Sequence, residues 1–153
     1  MQLRNKTVCI IGGSGFIGRA LVEKLARAGA RITVLTRNAV RSKNLKPVGD
    51  VGQITVMSGD ALLDDDLARA IQSADYVVNL VGIFHPSGKQ NFENAQAELP
   101  QRIAQIAEQA EVTKIVQIST IGADLKAAST YYRTKAEGER SLLRLAPNST
   151  ILR

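Results

Sequence analysis

Short apolar runs and longer amphipathic stretches follow one another along this chain of 153 residues. The apolar runs are rich in β-branched residues, which is typical of strands buried on both faces. They predict strands at 7–12, 31–36, 53–58, 75–81 and 113–119, and a sixth strand that begins at 150. The amphipathic stretches predict helices at 16–28, 64–73, 92–110 and 130–145, with a loop or short helix at 38–50.

Strands that alternate with helices predict an α/β protein, in which helices cover both faces of a parallel sheet. Because crossovers between parallel strands are right-handed, few topologies remain. The order 3-2-1-4-5-6 of a doubly wound, Rossmann-type sheet is the simplest fit, with the sixth strand truncated at Arg153. The sequence contains no internal repeat and no Pro/Gly-rich linker, so we interpret residues 1–153 as one domain.

Residues at the predicted helix ends support these assignments. Gly29 follows the first helix and is expected to close it in a left-handed conformation. Asp64, Asp65 and Asp66 begin the second helix, where carboxylates can cap free N–H groups and favour the positive end of the helix dipole.

A glycine-rich loop, G-G-S-G-F-I-G, joins the first strand to the first helix. We expect Gly12 to permit the tight turn, Gly15 to leave room for a pyrophosphate, and Gly18 to let the helix pack close to the sheet. Free N–H groups at the helix start favour phosphate binding. The residues assigned to a dinucleotide are Gly12, Gly13, Ser14, Gly15, Phe16, Ile17 and Gly18. The alternative is a glycine-rich turn that serves packing alone.

The end of the second strand bears on the choice of cofactor. An NAD site usually places a carboxylate there for the ribose 2′-hydroxyl, whereas this chain has Thr36 and Arg37. A planar guanidinium suits a 2′-phosphate, to which Arg41 or Lys43 could add charge. We therefore expect NADP(H) to be favoured over NAD(H). The alternative is that Arg37 only caps the loop.

Composition restricts the remaining function classes. The net charge of +6 and a pI of about 9.8 permit a nucleic-acid or anionic-membrane partner without requiring one. No apolar run approaches the ~20 residues that span a bilayer, and no signal peptide is visible. We expect a cytoplasmic protein, with association at the surface of the inner membrane as an extension of that expectation. One cysteine and one histidine exclude an internal disulfide and a Cys/His zinc site.

The only cysteine and the only histidine of the sequence are both interpreted as residues without a catalytic role. Cys9 lies within the first predicted strand and is interpreted as a small core residue. His85 follows the fourth strand and is interpreted as a surface residue rather than a catalyst.

A second group of residues has the composition of an acid/base site. Tyr131 and Lys135 lie four residues apart on a predicted helix and therefore share a face. A tyrosine acts as an acid/base near neutral pH only if its pKa falls from about 10 towards 7, which requires ~4 kcal/mol. A cation ~5 Å away supplies ~3 kcal/mol at an effective dielectric constant of ~20. Ser119, or Thr120 in its place, could orient a substrate oxygen. The alternative is that Tyr131 only packs and Lys135 is solvated.

The G-x-x-G-x-x-G spacing together with Y-x-x-x-K resembles the short-chain dehydrogenases/reductases, in particular their extended and atypical, epimerase/dehydratase-like branches. The resemblance implies that Tyr131 is the acid/base and that Ser119 holds the substrate oxygen. It implies that Lys135 stabilises the phenolate and bonds the nicotinamide ribose. It further implies cofactor contacts at Asp60, Ala61, Leu80, Val81 and Gly82. For Asp60 the alternative is a cap that leads the following helix.

Three further stretches, S-T-I-G-A-D, Y-Y-R-T-K-A-E-G-E and T-I-L-R, look most like an atypical group within that family. The group includes the nucleotide-binding accessory subunit of respiratory complex I and its bacterial relatives. Extended members continue beyond L-R into a substrate lobe, so we expect residues 1–153 to be the N-terminal part of a longer protein.

These observations lead to two alternative functions. The first is an NADP(H)-dependent oxidoreductase or epimerase/dehydratase that acts on an unidentified carbonyl or hydroxyl substrate. The second is a non-catalytic nucleotide-binding subunit or assembly factor of a respiratory assembly. Nucleic-acid binding rests on the positive charge alone and is the weakest hypothesis. The sequence leaves the substrate and the oligomeric state open.

Overall fold

A computed structural model describes residues 3–40, 42–88 and 90–153. The strands are β1 (Thr7–Ile11), β2 (Arg31–Thr36), β3 (Ile54–Ser58), β4 (Tyr76–Asn79), β5 (Lys114–Ile118) and β6 (Thr150–Leu152). The α-helices are α1 (Phe16–Arg27), α2 (Asp64–Ile71), α3 (Leu99–Gln109) and α4 (Thr130–Leu145). A 3₁₀-helix, Lys43–Val48, and a π-helical segment, Glu93–Glu98, complete the regular structure of these ranges.

All strand pairs are parallel, and the sheet order is β3-β2-β1-β4-β5-β6. The predicted α/β fold and strand order are therefore confirmed. The order reverses between β1 and β4, whose carboxyl ends lie side by side. A crevice at such a switch point is where open α/β sheets bind ligands.

The sheet carries an apolar layer on each face, because successive strand residues point to opposite sides. Cys9 and Ile11 of β1 pack with Leu67, Ile103 and other aliphatic side chains. Val8 and Ile10 pack in the second layer, which includes Val22 of α1. The large, fully buried side chains are aliphatic, and this burial on both faces explains the continuous apolar runs.

Cys9 has no exposed surface, which confirms its interpretation as a core residue. Burial raises the pKa of its thiol to about 12. Such a thiol stays protonated at physiological pH and is a poor nucleophile.

Some elements end where the sequence predicted, and others differ for local reasons. The α1 helix ends as expected, with Gly29 at φ +84°. The β4 strand ends at Asn79, because its side-chain Oδ1 accepts a hydrogen bond from Val81 N at 3.0 Å. The helix predicted at 92–110 is divided into the π-helical segment and α3.

The α2 helix begins at Asp64, as the three aspartates predicted, but their carboxylates do not cap it. The N-cap is Leu63, and no side-chain cap bond forms. Asp66 instead accepts a hydrogen bond from Asp60 N at 2.8 Å, so it stabilises the loop after β3. Asp64 and Asp65 remain in the first turn, where the helix dipole favours them.

The helices within 3–40, 42–88 and 90–153 are too short or too polar for any of them to cross a bilayer.

Candidate functional site

A cavity of about 480 Å³ opens at the switch point of the sheet. Loops that follow β1, β2, β3 and β4 contribute its walls. Nine of the predicted cofactor residues line it: Gly12, Ser14, Gly15, Arg37, Asp60, Ala61, Leu80, Val81 and Gly82. The other predicted site residues, Gly13, Phe16, Ile17, Gly18, Ser119, Tyr131 and Lys135, lie outside this lining.

Gly12 and Gly13 allow two close backbone approaches. Gly12 has φ +82°, and a Cβ there would lie 3.3 Å from Leu80 C. A Cβ on Gly13 would lie 2.9 Å from Val34 Cγ1 and 3.0 Å from Ile10 Cγ2. Gly13 is therefore the loop position that rests directly on the sheet.

The role predicted for Gly18 needs correction. A Cβ on Gly18 would lie 2.4 Å from Gly13 O, so this glycine lets the first turn of α1 pack against the loop itself rather than the sheet. Gly15 differs from it, since a Cβ on Gly15 would have Gly12 O as its nearest neighbour, at 3.4 Å. No contact within the described residues therefore requires a glycine at position 15.

The start of α1 is open to a ligand. Its N-cap residue is Gly15, and no side chain caps the helix. The side chains of Phe16 and Ile17 are 96% and 52% exposed, so their contribution beside the loop would come from backbone N–H groups. An uncapped helix start next to a cavity favours an anion.

Basic side chains flank the same cavity. Arg37 is exposed on its lining. Arg19 also lines it and donates from Nε to Ser14 O at 3.1 Å. Sequence reasoning missed Arg19, although its place one residue after Gly18 was a usable signal. Arg41 and the side chain of Lys43 lie outside the described residues.

Thr36 connects β2 to the glycine loop. It is buried, and its Oγ1 lies 3.1 Å from Ser14 Oγ and accepts a hydrogen bond from Asn38 N at 3.3 Å. These contacts bring the end of β2 against the loop, and Arg37 follows directly.

Asp60 lines the cavity and also shapes its own loop. Its Oδ1 accepts a hydrogen bond from Leu62 N at 3.0 Å, and its backbone O accepts one from Leu63 N at 2.9 Å. These contacts agree with the alternative interpretation of Asp60 as a cap that leads the following helix. Asp60 also lines the cavity, where a ligand can reach it.

A buried amide pair supports the β4 side of the cavity. Asn79 Nδ2 donates to Gln117 Oε1 at 2.8 Å, and Asn79 Oδ1 accepts from Val81 N. Both side chains are nearly inaccessible. The pair positions the turn that contains Val81 and Gly82. Sequence reasoning missed it, although two polar residues in otherwise apolar strands were a visible signal.

Lys135 is buried next to the cavity rim. It is only 5% exposed, and a Cβ on Gly82 would lie 3.4 Å from its Nζ. Burial lowers the pKa of its ammonium, and the Glu139 carboxylate opposes that shift. Glu139 is also buried and accepts two hydrogen bonds from Arg153, at 3.1 and 2.5 Å. The solvated alternative for Lys135 is therefore wrong.

Ser119 carries an unpaired buried hydroxyl. Its backbone N donates to Leu152 O at 2.7 Å, but its Oγ has no hydrogen-bond partner within the described ranges. An unsatisfied buried polar group costs about 1–3 kcal/mol, which a ligand could relieve. Thr120 differs, because its Oγ1 donates to Ile121 O at 3.3 Å.

Tyr131 lies half-buried among three other aromatic rings. Phe84 stacks on it at 5.7 Å, and Phe92 and Tyr132 meet it edge-on at 5.9 and 5.3 Å between centroids. His85 is exposed and does not line the cavity, as its interpretation as a surface residue requires.

Burial of the Lys135 ammonium is expected to lower the free energy of unfolding. We expect Lys135→Met to raise the free energy of unfolding by about 1 kcal/mol at pH 7, as replacements at strained functional positions often do. Because burial lowers the folded-state pKa, the cost of the ammonium disappears as pH rises through that pKa towards 10.5. The gain should therefore shrink over that pH range in urea titrations.

Lys126→Met is the matched control, since Lys126 is exposed. It should change stability little at any pH in the same range. A gain in Lys135→Met that does not vary with pH would contradict the role of the buried charge.

Comparison with known proteins identifies similar sequences. The profile of a family described as NAD(P)H-binding matches residues 12–153. The NADH-ubiquinone oxidoreductase 40 kDa subunit, mitochondrial, of Neurospora crassa is 28% identical over 99% of this chain and 40% of that protein. NADH dehydrogenase (ubiquinone) 1 alpha subcomplex subunit 9, mitochondrial, of Mus musculus is 32% identical over 94% of this chain and 38% of that protein. The chain thus spans about two-fifths of these curated relatives.

A solved structure shows the same fold. The Bordetella bronchiseptica enzyme WbmG, in complex with NAD, matches with a TM-score of 0.78 and 21% identity. The match covers 96% of this chain and 52% of the enzyme chain.

Proposed function

The chain belongs to the NAD(P)H-binding family, and from that premise we propose that it is an NADP(H)-dependent oxidoreductase, or an epimerase/dehydratase that uses the same site. Its substrate class is a carbonyl or hydroxyl compound. The observation that carries the proposal is the position of Lys135, a buried ammonium beside Gly82 that joins the nucleotide cavity to the helix bearing Tyr131.

The residues present fit a dinucleotide. The cavity volume lies in the usual range for ligand sites, and an uncapped helix start opens beside it. Gly12 and Gly13 hold the backbone where side chains would collide, and Ser119 offers a buried, unpartnered hydroxyl. We propose that the cofactor contacts are Gly12, Gly13, Ser14, Gly15, Phe16, Ile17, Gly18, Arg37, Asp60, Ala61, Val81, Gly82 and Lys135.

When bound, the reduced nicotinamide supplies a hydride for the substrate carbon. Tyr131 donates the proton from its hydroxyl to the substrate oxygen, or accepts it in the reverse direction. The Lys135 ammonium stabilises the phenolate that results, because the low dielectric of a buried site strengthens the attraction. The Ser119 hydroxyl donates a hydrogen bond to the substrate oxygen and orients it.

The basic side chains that line the cavity favour NADP(H) over NAD(H). Arg19 and Arg37 both line it, and Asp60 is the single acidic residue among its described lining residues. Asp60 follows β3, so the end of β2 has no carboxylate for a ribose hydroxyl. A guanidinium there binds a 2′-phosphate with paired, charge-assisted hydrogen bonds.

We expect Arg37→Asp to reverse the preference between NADPH and NADH. Loss of a charged hydrogen bond costs about 1.5–3 kcal/mol, or roughly tenfold to a hundredfold in affinity for NADPH. The introduced carboxylate repels the phosphate and accepts a hydrogen bond from the ribose of NADH. Calorimetric titration with both nucleotides measures the change.

Arg31→Asp provides the matched control, because Arg31 is an exposed arginine at the opposite end of β2. It should leave the preference unchanged. Equal affinities for the two nucleotides in the wild type, unaltered in Arg37→Asp, would rule out the 2′-phosphate role.

A second candidate function is a nucleotide-binding subunit or assembly factor of a respiratory assembly, without turnover. The observation that favours it is the similarity to the two mitochondrial subunits named above. In that case the chain would associate peripherally with such an assembly, and its nucleotide would stabilise the fold.

Single-turnover oxidation of NADPH in the presence of a panel of carbonyl compounds separates the two candidates. Oxidation that depends on the added carbonyl supports the enzyme. Tight binding of NADPH without oxidation by any compound of the panel contradicts the oxidoreductase and leaves the non-catalytic subunit and an epimerase/dehydratase, which returns its hydride within each turnover.

A further inference from the structure

Two oppositely charged side chains are buried one turn apart on α4. Lys135 and Glu139 are only 5% and 6% exposed, and their spacing of four residues places them on the same face of the helix. Lysine and glutamate are almost never fully buried in proteins unless they are paired. The burial of both charges on one helix face therefore requires an explanation.

The Glu139 carboxylate is held by an arginine at the end of the sheet. Arg153, which follows β6, donates from Nε to Oε1 at 3.1 Å and from Nη2 to Oε2 at 2.5 Å. This two-point pair ties α4 to the end of β6 and favours the ionised carboxylate. Arg153 is itself 52% exposed, so the tie alone does not require a buried carboxylate. It also leaves the burial of Lys135 unexplained.

Burial and Glu139 act on the Lys135 ammonium in opposite directions. Burial lowers the pKa of the ammonium, because surroundings of low dielectric constant disfavour a charge. The Glu139 carboxylate raises this pKa by electrostatic attraction. Among the described residues, no other charged group shifts it.

The other charged side chains around α4 are exposed or paired elsewhere. On α4 itself, Glu137 lies two residues from Lys135 and therefore on a different face. The neighbouring elements carry Glu93, Glu98 and Glu108, which are exposed, the Arg102–Asp64 pair, and Asp124, which interacts with Arg153. Glu139 is thus the carboxylate whose position lets it compensate the buried ammonium.

We propose that Glu139 is a positioning residue for Lys135: its carboxylate, held by Arg153, keeps the buried side chain in its ammonium form beside Gly82. This inference rests on the proposed function, which gives the ammonium its task of stabilising the Tyr131 phenolate and bonding the nicotinamide ribose. A neutral amine would do neither as well, since charge-assisted hydrogen bonds are roughly twice as strong as neutral ones.

The protonation of Lys135 can be measured directly in the nucleotide-free full chain. Lysine Cε and Nζ resonances are followed by NMR as the pH is raised, and the resonance that is missing from Lys135→Met identifies Lys135. We expect Glu139→Gln, which keeps the shape of the side chain, to lower the midpoint of this titration by about one pH unit or more. Glu137→Gln is the matched control, because it removes the same charge from another face of the same helix, and it should leave the midpoint unchanged.

Arg153→Gln separates the positioning role from a purely structural tie. It breaks the same pair between α4 and β6 as Glu139→Gln does, but it leaves the carboxylate to Lys135 alone. The midpoint should therefore stay at the wild-type value or rise. An unchanged midpoint in Glu139→Gln, or a fall in both variants, would overturn the proposal. A fall in Arg153→Gln would overturn it even if Glu139→Gln did not fold.

Nucleotide binding and turnover distinguish failure of this role from failure of the proposed function. Above its lowered midpoint, Glu139→Gln should bind NADPH about tenfold more weakly than the wild type does at the same pH. If the midpoint falls in Glu139→Gln alone but no carbonyl compound oxidises NADPH, the positioning role stands and the oxidoreductase is refuted. If a carbonyl compound oxidises NADPH and the midpoint is the same in the wild type and Glu139→Gln, the oxidoreductase stands and the positioning role is refuted.

Discussion

Tyr131→Phe is expected to lower NADPH oxidation by about 10²–10⁴-fold, the usual contribution of general acid–base catalysis. The substitution removes only the phenolic hydroxyl, which the proposed mechanism uses to protonate the substrate oxygen. The ring contacts to Phe84, Phe92 and Tyr132 remain, so the fold and the affinity for NADPH should change little. Single-turnover rates measured with saturating NADPH and the panel of carbonyl compounds give the comparison.

Tyr132→Phe is the matched control for this experiment. It makes the same chemical change on the adjacent residue, whose ring packs against Tyr131 at 5.3 Å. Because no step uses the Tyr132 hydroxyl, its rate should stay close to that of the wild type. Equal losses in both variants would indicate that packing of the aromatic rings around Tyr131, rather than proton transfer, sets the rate.

Lys135→Met should behave differently from Tyr131→Phe in the same assay. The ammonium is proposed both to stabilise the phenolate and to bond the nicotinamide ribose. The variant should therefore lose turnover and also bind NADPH roughly tenfold to a hundredfold more weakly. A wild type that binds NADPH tightly but never oxidises it faster than Tyr131→Phe would favour the non-catalytic subunit.

The fold could be predicted because its signals are local. Continuous β-branched runs indicated strands covered on both faces, and the 3.6-residue period of 130–145 predicted α4 with the bounds that the structure has. Right-handed crossovers then left one simple strand order, which the sheet adopts.

Features that depend on contacts between distant residues were not predictable in the same way. The π-helical segment lies where α4 crosses it at backbone contact: a Cβ on Gly138 would lie 2.0 Å from Gln96 O. A helical period in 92–110 cannot reveal that crossing. The convergence of Phe84, Phe92 and Tyr131 likewise depends on the packing of three separate segments.

The glycine loop shows both sides of this limit. The spacing of its glycines correctly predicted a loop between β1 and α1. It did not predict which atoms each glycine contacts. Gly13 rests on the sheet and Gly18 rests on Gly13, because the loop folds back on itself. Spacing alone is compatible with either arrangement, and only the three-dimensional path of the backbone decides between them.

Gly15→Ala is expected to lower nucleotide affinity by about a hundredfold or more while leaving the fold intact. Gly15 has φ −74° and ψ −177°, which alanine adopts without strain, and the nearest atom to the added Cβ is 3.4 Å away. The methyl group would occupy the space proposed for the pyrophosphate. Losing two charged hydrogen bonds to backbone N–H groups costs roughly 3–6 kcal/mol.

Gly18→Ala is the informative contrast, because its Cβ would lie 2.4 Å from Gly13 O and the loop would have to move. That variant should lose both nucleotide affinity and thermal stability, whereas Gly15→Ala should lose affinity alone. Calorimetric titration with NADPH and thermal unfolding of the nucleotide-free proteins measure the two effects separately. No described contact makes a side chain at Gly15 unfavourable, so a loss of affinity in Gly15→Ala would be due to the nucleotide itself. If Gly15→Ala bound NADPH as the wild type does, the pyrophosphate could not occupy the space beside Gly15.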